Sequence, residues 1–389
     1  MNRFRMLAIG AAAILLLAVA AAAQSSDATP FNLGRAQDIS ARPMALGGSY
    51  TAVASDASAL YYNPAGLSAV KMHEFSLSLE RSVLHGNDRA GGFASVSRRQ
   101  EDLRIQSLAW LMPVPTVRGG LTFAFGYYRP RTFSDLIAYE DSLSATRGVY
   151  DYRAEGALET WRMGVGVDMA PDLSFGLAAG YVSGGEQIKV RDNGEAGYLR
   201  NYDGFNLEPS LMYKISPRLR LGVSAVLWEK FYSLEEVYEE KGVGNSEDDY
   251  QVRYPFQIKS GLAYQADGFL LSGDVKVNGF SQFRYGSREA STLEKAGYRD
   301  EMILSLGAER FIRTANLVLR GGYTWNTLPE TAFDPTYDLH RVSGGVGFLF
   351  SGSLALDLAY SYSFWDLAGE GLELENREHR ALMTFAYRY

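Results

Sequence analysis

Nine charged side chains fall on the small-residue faces of alternating segments: Arg162, Asp168, Arg220, Asp274, Lys276, Glu309, Arg320, Asp357 and Arg388. Enclosed together, they could guide a carboxylate-bearing ligand. They could equally pair with one another, because a buried unpaired charge is expensive, and pairing across an interior is the reading adopted here. Leu234-Glu-Glu-Val-Tyr-Glu-Glu-Lys241 and Glu247-Asp-Asp249 offer the carboxylate oxygens that divalent cations prefer. A solvated outer loop accounts for them as well, and no metal is expected. The four histidines, His73, His85, His340 and His379, have no ligand spacing, and zero cysteines remove disulfides and thiolate metal sites. No Gly-x-Ser-x-Gly elbow, nucleotide motif or energy-coupling motif is present. The expectation is a protein without cofactor or catalytic centre.

What positions these charges is a strand pattern. Successive side chains of a strand point to opposite faces. Leu354, Leu356, Leu358, Tyr360, Tyr362 and Phe364 share one face, opposite Ala355, Asp357, Ala359, Ser361 and Ser363. Trp161, Met163, Val165, Val167 and Met169 oppose Arg162, Gly164, Gly166 and Asp168. The same alternation runs through 121–127, 219–227 and the last segment, where Ala381, Met383, Phe385, Tyr387 and Tyr389 oppose Leu382, Thr384, Ala386 and Arg388. A continuous apolar face turned to lipid and a small or charged face turned inward is the pattern of a transmembrane β-barrel. Short turns such as Ala170-Pro-Asp172 and Ser351-Gly-Ser353 alternate with long polar connections near 131–154, 187–202, 234–249, 284–298, 328–338 and 366–377. Counting between them predicts fourteen antiparallel strands: 73–84, 92–112, 118–129, 155–169, 172–186, 203–215, 218–233, 250–265, 268–283, 299–311, 314–327, 339–350, 353–365 and 378–389. The second is taken as one strand interrupted at Arg98-Arg-Gln-Glu-Asp102, since fifteen strands would misplace the C-terminus.

Composition points the same way. The chain has 25 Tyr, 20 Phe and 40 Gly in 389 residues, which suits aromatic girdles and a crowded interior. A formal charge of −7 argues against nucleic acid as a partner. Arg3 and Arg5, an apolar run from Met6 and the Ala21-Ala22-Ala23 exit read as a signal peptide over 1–23. Nothing after Ala23 is long and apolar enough for a spanning helix. Residues 71–389 form the expected barrel. Residues 24–70 do not alternate; they hold a Gly47-Gly48 pair and a short helix around 56–62, capped by Asp56 and stopped by Asn63-Pro64. Fourteen strands enclose more space than their own side chains fill, so this segment is the expected plug.

The stretch Arg42-Pro-Met-Ala-Leu-Gly-Gly-Ser-Tyr-Thr-Ala-Val-Ala-Ser-Asp-Ala-Ser-Ala-Leu-Tyr-Tyr-Asn-Pro-Ala-Gly-Leu67 resembles the N-terminal hatch of the FadL/TodX family, outer-membrane transporters of long-chain fatty acids and other hydrophobic compounds. The resemblance implies that 24–70 fold inside the barrel, with Asn63, Pro64, Ala65, Gly66 and Leu67 closing the lumen. It implies that Phe31 and Leu33 lie in a hydrophobic pocket and move when substrate binds. It also implies an inward kink of the third strand, which Gly119, Gly120 and Gly126 would permit, opening a side exit into the bilayer. The implied function is passive uptake of a hydrophobic small molecule, with hatch movement and lateral release. The implied partners are outer-membrane lipid, lipopolysaccharide and, through the C-terminal strand, the barrel-assembly machinery, for a monomer. PorV-type barrels share the motif, so a secretion or surface-attachment partner is the alternative.

Overall fold

In the computed structural model, residues 33–389 are described apart from 91–94, 142–147, 192–194, 240–245, 289, 330–333, 351 and 370–371. The signal-peptide expectation and Phe31 therefore lie outside the described residues. Fourteen staves follow in chain order: β1 Glu74–Ala90, β2 Val96–Val114, β3 Leu121–Thr132 continued as Asp135–Asp141, β4 Gly148–Ala170, β5 Leu173–Arg191, β6 Glu195–Lys214 and β7 Leu219–Glu239. Then come β8 Ser246–Tyr254 continued as Gln257–Ala266, β9 Phe269–Asn278, β10 Glu301–Ile312, β11 Leu317–Asn326, β12 Asp334–Phe350, β13 Leu354–Gly369 and β14 Leu372–Arg388. Every neighbour pairs antiparallel, and β14 closes on β1 from Leu372↔Ala90 to Arg388↔Glu74, so the C-terminal strand has no free edge.

The outer surface carries the apolar face of the alternation. Leu103, Trp110, Phe125, Trp161, Leu306 and Tyr360 all stand exposed on it, a continuous band that only a hydrocarbon environment satisfies. Inward positions hold small polar residues such as Ser78, Thr122, Ser210, Ser224 and Ser361, all buried.

Two expectations about boundaries change. The long polar connections are mostly strand: β5 and β6 extend to Arg191 and from Glu195, and β13 and β14 to Gly369 and from Leu372. Above the lipid both faces of a hairpin meet water, so its residues carry no apolar period that would mark them as strand. Likewise Arg98–Asp102 interrupts nothing; its ladder with β1 runs on from Arg98↔Gly86 to Asp102↔Ser82. The acidic 234–239 and 246–249 segments form a β7–β8 hairpin, and their side chains lie outside the described residues.

Residues 33–70 pack against the inner wall. A two-residue bridge, Arg35–Ala36, pairs with β3, and then come α1 Ala41–Ala45, α2 Ala59–Tyr62 and a 3₁₀ turn Pro64–Ala69. The helix expected from Asp56 starts at Ala59; Asp56 Oδ1 instead accepts from Ser58 N (3.0 Å) in a turn ahead of it. Asn63 ends α2 in an extended conformation, φ −161°, as the following proline requires. Gly47 (φ 64°) and Gly48 (φ 77°) terminate α1 in the left-handed region that glycine enters freely.

Candidate functional site

The interior filling is built on close backbone contact. Gly166 on β4 pairs with Gly176 on β5, and the Pro64–Ala69 turn lies on that pair. A Cβ at Gly176 would overlap Ala65 N and Pro64 C, and one at Gly166 would sit 2.7 Å from Pro64 O. A Cβ at Gly322 on β11 would likewise overlap the backbone of Gly47. Inward glycines are therefore seats for the N-terminal segment's main chain.

Asn63 ties the turn to both sides. Its Nδ2 donates to Thr51 O (2.8 Å) and Leu211 O (3.2 Å), while Oδ1 accepts from Ala65 N (3.1 Å). Ala65 N also donates to Ser210 Oγ on β6 (2.9 Å). Pro64, Ala65, Gly66 and Leu67 are all buried. Replacing Asn63 by Ala strands the buried Thr51 carbonyl, and is expected to loosen residues 51–69 by about 1–3 kcal/mol. Amide exchange there should accelerate in protein whose barrel remains folded; unchanged protection would show that Asn63 does not hold the turn.

The nine inward charges divide into five settings. Glu309 receives Arg42 of α1 (2.9 Å) and Arg320 (2.7 Å), and Arg320 also reaches Asp357 (2.5 Å). Arg162 pairs with Glu208 (2.6 Å), and Arg388 with Glu74 (2.6 Å). Asp274 accepts from the backbone of Tyr50 (2.9 Å) and Thr51 (2.7 Å), anchoring the plug directly to β9. Asp168 accepts from the Ser174 hydroxyl (2.7 Å), at the turn into β5. Among the described residues, Arg220 and Lys276 have no carboxylate at salt-bridge distance; Lys276 Nζ sits 5.1 Å from the Tyr62 ring centroid.

Several ionic residues were not singled out from the sequence. Glu208, wholly buried, takes Lys259 (2.5 Å), Arg162 and the Ser224 hydroxyl. Glu80 lies between Arg104 (2.5 Å) and Arg380. Asp38 pairs with Arg341 (2.6 Å) and accepts from Tyr62 (2.9 Å). Burial pushes the Asp38 carboxyl upward, but Arg341, Lys276 and Arg380 outweigh it and hold its pKa below the ordinary value. The parity that marked Arg162 also marks Glu208, which shares a face with Asn206, Ser210 and Met212, so this signal was present.

Leu33, at the start of the described N-terminal segment, packs into a buried apolar cluster. Phe133, Leu158, Val182, Tyr202 and Phe283 belong to the same cluster, with Phe133 and Tyr202 stacked at 5.6 Å. Beside it is a cavity of about 70 Å³ with apolar lining from Leu158, Val182 and Phe280 and charged lining from Arg131, Arg162, Glu208 and Lys259. The strap at 33–37 is held there by Arg131, which donates to Leu33 O (3.0 Å) and Gly34 O (2.7 Å) and pairs with Glu301 (3.0 Å).

The third stave is irregular, at a place the glycines do not mark. Gly119 and Gly120 precede the strand, and Gly126 sits in regular pairing between Ala109 and Arg162. The β3–β4 ladder instead shifts between Tyr128 and Arg131, and Phe133 and Ser134 leave the strand altogether. The Arg35–Ala36 bridge pairs with Thr132 and Arg131 beside that break.

A closed fourteen-strand antiparallel barrel with its own N-terminal segment packed against the inner wall is a fold that solved structures share. Among solved structures, the chain is similar to the toluene transporter TodX of Pseudomonas putida, with TM-score 0.67 and 15% identity over 89% of this chain and 97% of that one. It is similar to a Pseudomonas aeruginosa FadL homologue, with TM-score 0.69 and 13% identity over 91% and 99%. It is also similar to the Ralstonia pickettii toluene transporter TbuX, with TM-score 0.63 and 15% identity over 90% and 98%. Identities this low establish a shared fold. No protein-family model and no curated protein sequence matches.

Proposed function

We propose that this chain is an outer-membrane channel for passive uptake of hydrophobic molecules such as long-chain fatty acids, with residues 24–70 as its hatch. The observation that carries the reading is the buried apolar cluster around Leu33, beside a cavity within the barrel that Arg131, Leu158 and Val182 line. Ligand pockets are concave and mostly apolar with a few placed polar groups, and Arg131 supplies such a group here. An incoming ligand would displace Leu33 and the strap, releasing the Arg131 contacts to Leu33 O and Gly34 O. The cargo would then leave sideways at the β3 break, where Arg129–Ser134 have partly given up the wall's hydrogen bonds. The like-folded transporters of toluene support a hydrophobic cargo.

Cells carrying the gene are expected to take up labelled oleate or an alkylbenzene faster than cells without it. Leu33→Asp, which sets a carboxylate in the apolar cluster at a cost of roughly 2 kcal/mol or more, should abolish most of that difference while the barrel still folds. Equal uptake of every hydrophobic compound tried, with and without the gene, would reject the reading.

A further inference from the structure

We propose that the lumen contains a second, polar site that binds one small monovalent anion against Lys276, beside the cavity at Arg131. A cavity of about 40 Å³ lies between the strap, the Gly47-Gly48 turn and the inner faces of β8 to β12, lined among others by Gln37, Asp38, Lys259, Lys276, Ser305 and Arg341. Its polar groups are prepared but not satisfied. Gln37 is 5% exposed, and neither its amide nitrogen nor its oxygen has a partner. Ser305 is 2% exposed, and its hydroxyl is likewise free. Buried polar groups are rarely left so, and each such group carries its full desolvation cost until something fills the space. Lys276 extends over the Tyr62 ring without a carboxylate at salt-bridge distance among the described residues.

Charge selects the sign of the occupant. Five cations line the two cavities: Arg131, Arg162, Lys259, Lys276 and Arg341. Four carboxylates answer them: Glu301 for Arg131, Glu208 for Arg162 and Lys259, Asp38 for Arg341, and Asp274, engaged by the Tyr50 and Thr51 amides. One positive charge is in excess, and Lys276, although Asp38 and Asp274 lie within reach of its field, has no carboxylate at salt-bridge distance among the described residues and is the cation left open to a ligand. Size selects the class. A water-sized occupant needs about 10–15 Å³ of such volume, so the cavity admits a halide or a carboxylate group with a companion water and excludes an aryl ring or acyl chain. The Lys276 ammonium, the Gln37 amide nitrogen and the Ser305 hydroxyl would donate to the anion. The companion water would serve the free acceptors, Gln37 Oε1 and Asn326 Oδ1. The two cavities share Tyr61, Gln257 and Lys259, so the anion is either a free ion or the carboxylate end of a molecule lying in the larger cavity.

Crystals of the full chain in detergent, grown in sodium bromide, should show an anomalous bromide peak beside Lys276 Nζ and Ser305 Oγ. The peak should vanish in Lys276→Met, which keeps the stem against Tyr62. If that variant fails to fold, Gln37→Leu, on the strap outside the barrel ladder, should weaken the peak severalfold. A parallel soak with 4-bromobenzoate in bromide-free medium separates the sources: bromine in the larger cavity with the carboxylate at Lys276 identifies a cargo head group, and its absence there identifies the free ion. Water alone at the site in both media, or a bromide peak unchanged by Lys276→Met, overturns the proposal. The test does not use transport, so its outcome is separate from that of the uptake assay.

Discussion

Glu208→Gln is expected to cost about 3–5 kcal/mol of folding stability, the usual penalty for leaving buried charges without their partner. Glu208 is wholly buried, and both Arg162 and Lys259 have side chains no more than 3% exposed. Neutralising the carboxylate leaves two cations facing each other in a lumen with little water to screen them. Urea titration of the barrel in lipid vesicles would read the loss as an earlier unfolding midpoint. The triple variant Glu208→Leu, Arg162→Met, Lys259→Met removes all three charges together, and such replacements are often neutral or better. It should recover most of the barrel's stability. The plug should not recover with it, because Lys259 Nζ also donates to Tyr61 O (3.0 Å) and Arg162 to the same carbonyl (3.4 Å). A triple variant as unstable as the single one would mean that these residues matter for shape and not for charge.

The wall of this protein was legible because lipid on one side and a crowded lumen on the other impose a period of two over many residues. Leu354 to Phe364 and Trp161 to Met169 are faces of that kind, and all fourteen staves follow from them and their turns. The pattern fades where the environment becomes the same on both faces, which is why the hairpins beyond Glu186 and beyond Trp365 read as loops. The stretch at 42–67 stood out as a family resemblance, but its fit to the wall did not. That fit depends on which inward glycine meets which peptide group, a relation between segments more than a hundred residues apart, such as Gly176 with Ala65. The break in β3 escaped for a related reason. It is made by Arg131 turning inward to the strap and Glu301, a tertiary demand that no local glycine announces.

That fit supplies the second large effect. Gly176→Val is expected to expel the 63–69 turn and open the lumen. A Cβ at this position overlaps the backbone of Pro64 and Ala65, and backbone, unlike a side chain, has no rotamer into which to retreat. Overpacking costs about 1–3 kcal/mol even where side chains can shift. Two things could yield. The wall is held on both edges of β5 by ladders from Asp151↔Arg191 to Ala170↔Leu173 and from Leu173↔Tyr213 to Arg191↔Glu195. The turn is held chiefly by Asn63, the Ser210 hydroxyl and its apolar contacts. The turn is the weaker, so it should move while the barrel stays closed. Fourteen strands enclose a bore that their own side chains do not fill, so the variant should conduct ions in planar bilayers and sensitise cells to a hydrophilic antibiotic such as vancomycin. Gly321→Ala is the matched control, since a Cβ there meets nothing within 4 Å and conductance should not change. A folded Gly176→Val barrel that remained as tight as the parent would mean that residues 63–69 are not what shuts the lumen.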